Sequence, residues 1–218
     1  MSEDSNISDF QKISEKLFPS AALLSAKAYF DNPAHVYLCP NNKNRLEQLT
    51  WLLGVNLRMH LNNGAQSFCY SENGKVQAMG FWTQPNEVTI NTITKIRAGL
   101  LKVPFKMGWK GFLRVLETSA AIDEQMKKVL GIKERYRCLN YMVMEENRRA
   151  KGWGTRILNN QFEIISKVEP NAVLALNTQR YWTVQFYERL GFEVVLEEKI
   201  GRGHLAFTNW TMKKILPQ

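Results

Sequence analysis

The residues with the most chemical potential in this chain stand at one turn, Arg149-Ala150-Lys151-Gly152-Trp153-Gly154-Thr155, between the apolar run Arg137–Met144 and a stretch of helical periodicity. Ile157, Leu158, Phe162, Ile164, Ile165 and Val168 form a broad apolar stripe, which predicts a helix opening just after the glycines. The first turn of a helix leaves backbone N–H groups without partners, with the positive end of the helix dipole behind them, so it favours a phosphate group. Gly152 and Gly154 let a ligand approach the backbone closely, while Arg149, Lys151 and Arg156 add full charges around the same point. Such a turn suits a pyrophosphate. A Walker loop would need a Gly-Lys-Ser/Thr ending, and a dinucleotide fingerprint would need a third glycine where Ile157 stands, so both are disfavoured.

Other chemistries find little support. Cys39, Cys69 and Cys138 lie far apart, with no Cys-x-x-Cys pair, and read as buried free thiols. His35, His60 and His204 are equally scattered, which argues against a metal site. The formal net charge of +9 over 218 residues asks for an anionic partner: nucleic acid is one candidate, and a phosphorylated cofactor such as coenzyme A is another. Apolar runs are only a few residues long, far below the ~20 that span a bilayer, and the polar start Met1-Ser-Glu-Asp-Ser is unlike a secretory signal. A cytoplasmic protein is expected.

These residues need a frame to position them, and the pattern supplies an α/β one. Phe10, Ile13, Leu17, Ala21, Leu24 and Ala28 predict N-terminal helical pieces broken at Pro19. Asn32-Pro33 predicts a turn and Val36–Leu38 a short extended piece, after which Asn41-Asn42 opens a helix to about Leu61. Two short apolar runs around Asn73-Gly74 predict an antiparallel hairpin. The segment from Ile93 to Val129 returns to helix, interrupted at Pro104 and rich in basic and aromatic residues; it reads as a solvated helix or the lid of a cleft rather than a membrane-surface helix. Arg137–Met144 is apolar on both faces, as an interior strand requires. A second interior strand over 172–177, a helix around Val184–Leu190 and a final strand pair turning at Gly201-Arg202-Gly203 complete one domain over residues 1–218.

Two motifs in this order resemble the GNAT superfamily of acyl-CoA N-acyltransferases. Arg149-Ala150-Lys151-Gly152-Trp153-Gly154 fits the signature Gln/Arg-x-x-Gly-x-Gly/Ala, and Tyr187-Glu188-Arg189-Leu190-Gly191-Phe192 looks like Tyr-x-x-x-Gly-Phe, about 35 residues further on. The resemblance implies a mixed central sheet of about six to seven strands with helices on both faces, and an N-acetyltransferase that uses acetyl-CoA. It implies that the backbone of Met142, Val143 and Met144 holds the pantetheine arm, that the backbone from Ala150 to Thr155 holds the pyrophosphate, and that Tyr187 protonates the departing thiolate. The sequence departs from the family's pattern at Ala150, where a glycine is frequent, at Glu146, where a proline is common, and at Arg180 and Thr183, where an asparagine often binds the cofactor. Asn177-Thr178-Gln179 could substitute for that contact.

An alkylamine with a pKa of about 10.4 must lose a proton before it attacks. Glu72, Glu117, Glu145, Glu146 and His60 are all candidate bases, and the sequence does not choose among them. The acceptor is expected to be a primary amine of a small molecule or peptide, partly apolar, because aromatic segments such as Phe105–Phe112 come without an acidic pocket for a polyamine. Neither nucleic acid nor membrane is an expected partner, and a homodimer through a sheet edge is compatible with the chain. Two alternatives stay open: a non-catalytic acyl-CoA-binding module, and a basic nucleic-acid-binding protein.

Overall fold

The computed structural model describes residues 10–85, 99–131, 135–149 and 151–217. A six-stranded mixed sheet has the order β1-β2-β3-β4-β6-β5. Its strands are β1 (Gln66–Glu72), β2 (Lys75–Thr83), β3 (Arg137–Met144), β4 (Val173–Thr178), β5 (Glu193–Ile200) and β6 (Phe207–Ile215). Helices α1 (Phe18–Ala28), α2 (Pro33–Leu38) and α3 (Asn42–Asn62) precede the sheet, α4 (Val103–Leu130) falls between β2 and β3, α5 (Trp153–Val168) between β3 and β4, and α6 (Tyr181–Glu188) between β4 and β5.

Two cores sit on opposite faces of the sheet. On one face, α5 and α6 supply Ile157, Leu158, Phe162, Ile165, Val184 and Tyr187 against Trp82, Leu174, Leu176 and Met212. On the other, α1 and α3 supply Ala21, Leu24, Leu49, Leu53 and Leu57 against Met79, Phe81, Tyr141 and Val143. The second face is completed further along by α4, whose Met126 and Leu130 pack with Ala175 and whose Ile122 lies against Ile200 and Phe207.

The sheet consists of two antiparallel halves joined by a short parallel seam. Only Arg137, Cys138 and Leu139 of β3 pair with β4, against Leu174, Ala175 and Leu176. The reason is local. Phe81 pairs with Tyr141 and Trp82 with Leu139, so Asn140 is an extra residue that opposes nothing on β2. A bulge bends its strand, and this one turns β3 away from β4 at the residue after pairing stops. From Tyr141 to Met144 the strand pairs with β2 and, among the described residues, has no strand partner on its other side.

Most predicted elements are present, and the differences have physical causes. Val36–Leu38 is helical in α2, because the Asn32 side chain accepts the Ala34 N–H at 3.0 Å and Pro33 fits the first turn. Pro104 opens α4 rather than breaking it; the kink lies at Gly108, whose φ of 71° is left-handed. The last strand, expected from His204 to Met212, runs from Phe207 to Ile215, because Gly203–Leu205 forms a short 3-10 turn before it. The predicted helix start at Ile93 lies outside the described residues. The hairpin at Asn73-Gly74 forms with both residues at positive φ, the conformation that this pair favours. None of the described helices is long and apolar enough to cross a membrane.

Candidate active site

Where β3 and β4 part, a cleft of about 600 Å³ runs through the sheet. Its walls on the α5 face are Arg149, Gly152, Trp153, Gly154, Thr155, Phe186 and Tyr187; on the other face they are Tyr29, Asn32 and His35, then Leu52 and Asn56 of α3, and Val115 and Thr118 of α4. The backbone from Cys138 to Met144 and from Asn177 to Arg180 borders it between the two.

The glycine turn is built for a close approach. Gly152 has φ 74° and ψ 0°, a left-handed conformation that leaves α5 without a side-chain cap, and its carbonyl accepts the Arg156 N–H at 3.0 Å. The first-turn N–H groups therefore stay available on the cleft side. At Gly154 a Cβ would stand 3.1 Å from Phe186 Cζ and 3.4 Å from Met144 Cε, so only glycine fits without displacing that ring.

The basic residues divide into two sets. Arg148 is committed elsewhere: it lies on the rings of Tyr70 and Trp153 and bonds Glu72 Oε1 at 2.6 Å. Arg156 stacks on Trp153, and Lys151 is exposed and does not line the cleft. Arg149, Arg180 and Arg189 do line it, and no Asp or Glu among the described residues does.

Of the residues singled out from the sequence, Met142, Val143, Met144, Arg149, Gly152, Trp153, Gly154, Thr155 and Tyr187 come together around the cleft. Ala150 lies outside the described residues. Tyr187 is buried between Phe186 and Phe192, and burial pushes its phenol well above the ordinary value, with Tyr29 and Cys138 adding to the rise. All three thiols are unpaired, and burial raises them, to about 11 for Cys39 and Cys69 and about 12 for Cys138.

None of the candidate bases reaches the cleft. Glu72 bonds Tyr70 and Arg148, which hold its carboxyl below the usual range. Glu117 accepts from Tyr37 and lies 3.4 Å from Arg202. His60 faces the Phe81 ring, and Glu145 and Glu146 stand outside the cleft wall.

His35, which the sequence did not single out, lines the cleft instead. Its ring stacks on Tyr29, with centroids 4.8 Å apart and planes 4° from parallel. Asn32 Oδ1 already accepts from Ala34 N–H, so the 3.2 Å contact with His35 Nδ1 needs the proton on that nitrogen and leaves the lone pair on Nε2. Behind Asn32 runs a chain of amides: Asn32 Nδ2 donates to Gln179, Gln179 to Asn209, and Asn209 to Gln125 and Asn177. Burial, then the nearby Arg180 charge, lower the His35 pKa to about 4. The signal that could have found it was the Asn-Pro helix start, which places the third residue after the cap, His35, on the same side as the cap.

Comparison with known proteins agrees with this architecture. Residues 117–215 match the family described as the acetyltransferase (GNAT) domain. Among solved structures, arylalkylamine N-acetyltransferase 2 from Aedes aegypti is 14% identical, with a TM-score of 0.60, over 95% of this chain and 98% of that one. A histone acetyltransferase HPA2 and related acetyltransferase from Corynebacterium glutamicum is 13% identical, with a TM-score of 0.59, over 95% and 94%. Ribosomal-protein-alanine N-acetyltransferase from Brucella melitensis is 14% identical, with a TM-score of 0.53, over 95% and 99%. No curated protein sequence matches the chain. The chain therefore shares the fold of these solved acetyltransferases, and residues 117–215 match the GNAT acetyltransferase domain.

Proposed function

We propose that the chain is a single-domain N-acetyltransferase that moves an acetyl group from acetyl-CoA to a primary amine. The observation that carries this reading is the cleft itself: an uncapped, glycine-lined helix start opens onto a gap between two strands, with arginines in its wall and, among the described residues, no carboxylate there.

The residues present fit the cofactor. Donors at Trp153, Gly154 and Thr155, with the Arg149 charge, would hold the pyrophosphate, and the unpaired edge of Met142–Met144 offers backbone groups for the amides of the pantetheine arm. When bound, the thioester supplies an electrophilic carbonyl and a thiolate leaving group. Tyr187 lines the cleft as a neutral phenol, because burial disfavours the phenolate, and is the proposed proton donor to the departing thiolate; the same burial makes its proton harder to release. A backbone N–H at the free edge of β3 would stabilise negative charge that develops on the carbonyl oxygen. The amine is expected to enter from the α4 side, where His35 presents Nε2 as a neutral acceptor that can orient the amine or a water; with its pKa lowered to about 4 it relays the proton rather than keeping it.

Calorimetric titration of acetyl-CoA into the wild type and into Gly154→Glu, followed by thiol release in the presence of an amine panel, tests the reading. Binding by the wild type that is lost in the variant, together with thiol release, is expected. No binding by the wild type would overturn it.

A further inference from the structure

The acceptor half of the cleft has an electrostatic character that the acetyl-transfer reading does not use. Arg180 stands at the start of α6, half-buried, with its guanidinium 5.7 Å from the Trp182 ring. No described residue gives it an ion pair or a hydrogen bond. It lines the cleft directly after Gln179, whose Oε1 accepts from Asn32 at 3.2 Å, and Asn32 in turn holds His35, so Arg180 adjoins the acceptor wall. Asp31 is within electrostatic reach, but it is exposed and already lies 3.8 Å from Arg45. Arg149, the other cation close by, belongs to the glycine turn and raises the local positive potential further.

A second observation lies across the cleft. Thr118 of α4 is 6% exposed and its Oγ1 is buried with no hydrogen-bond partner among the described residues, although the residue forms part of the cleft wall. A buried hydroxyl without a partner is costly, and this one lies just behind the cleft surface. Around it the wall is apolar, with Leu38, Leu52, Val115 and Ile122.

Resting on the acetyl-transfer reading, we infer that the amine acceptor carries a carboxylate that pairs with Arg180, and that the class is an amino acid or short peptide acid with an apolar side chain. A guanidinium presents paired N–H groups that match the two oxygens of a carboxylate, and partial burial strengthens the attraction. A polyamine would meet this cation with no carboxylate to offset it. The same positive charge favours the neutral form of the reacting amine, as the chemistry requires, in a site where no carboxylate is available to take the proton.

The test compares acceptors that differ only in the carboxylate: phenylalanine against 2-phenylethylamine and leucine against 3-methylbutylamine, with spermidine as the polycation. Acetylation is followed by thiol release, and acceptor binding to the CoA-saturated protein by calorimetry. The acid of each pair is expected to be favoured about ten- to a hundredfold in the wild type, the range for a hydrogen bond to a charged group. Arg180→Gln should abolish that preference and Arg180→Lys should restore part of it, both with acetyl-CoA affinity within about twofold of wild type, since the lost contact is to the acceptor. Preference for the decarboxylated amine or for spermidine, or calorimetry with no bias toward the acid, overturns the inference and leaves acetyl transfer standing. So does an Arg180→Gln variant that loses acetyl-CoA affinity and keeps the acid preference. Failure of the wild type to bind acetyl-CoA removes both readings.

Discussion

At the scale of single residues, the roles of Tyr187 and His35 can be separated by what each does to kinetics and to stability. Removing the Tyr187 hydroxyl as Tyr187→Phe takes away a proton donor and leaves the packing against Phe186 and Phe192 in place. A fall in kcat of about 100-fold or more is expected, with acetyl-CoA affinity unchanged; undiminished kcat would reassign Tyr187 to packing alone. For His35, the folded protein holds the ring neutral down to about pH 4, against 6.5 in the free side chain. Between those values the unfolded chain binds more protons than the folded one, so stability rises with pH. The contribution is complete above about pH 6.5 and is lost as pH falls toward 4. Urea midpoints measured across that window should fall less steeply for His35→Gln than for the wild type, and parallel curves would contradict the assignment. Tyr187 was legible from its motif, whereas His35 was not, because its importance comes from contacts with Tyr29 and Asn32 that only the folded chain makes.

At the scale of elements, local signals that fix the backbone were the legible ones. Asn41 caps α3, and Asn73-Gly74 turns the hairpin, as their types dictate. Asn32-Pro33 was read as a turn into extended chain, because the same dipeptide serves a turn and a helix start, and six residues are too few for periodicity to decide. Asn32→Ala removes both the cap of α2 and the acceptor of His35 Nδ1. It should cost about 1 kcal/mol from the cap alone, read as a lower urea midpoint, and should also lower kcat by freeing the imidazole ring; normal kcat in a destabilised variant would limit Asn32 to capping. The bulge at Asn140 had no signal in the sequence. It is a property of the pairing between β2 and β3, which a single strand does not announce, yet it opens the cleft.

At the scale of the whole molecule, the cofactor should act as a stabiliser, since it would contact β3, α5 and α6 together in the folded state and none of them in the unfolded one. Acetyl-CoA at a hundred times its Kd contributes about 2.7 kcal/mol, a rise in Tm of roughly 5–10 °C for a chain of this size. A thermal scan that shows no shift in the wild type would count against the site. The parallel seam has a further consequence. It divides the sheet into two antiparallel ladders, β1-β2-β3 and β4-β6-β5, and the chain crosses from one half to the other through Glu169-Pro170-Asn171 after α5. Cut at that crossing, the two pieces would each keep their internal ladders, while α4 and α5 of the first piece supply the helix packing that β4, β5 and β6 of the second need, so each piece is completed by the other. The protein is thus a natural candidate for a split reporter, in which two separately expressed halves reassemble on a shared ligand and regain activity in proportion to its concentration.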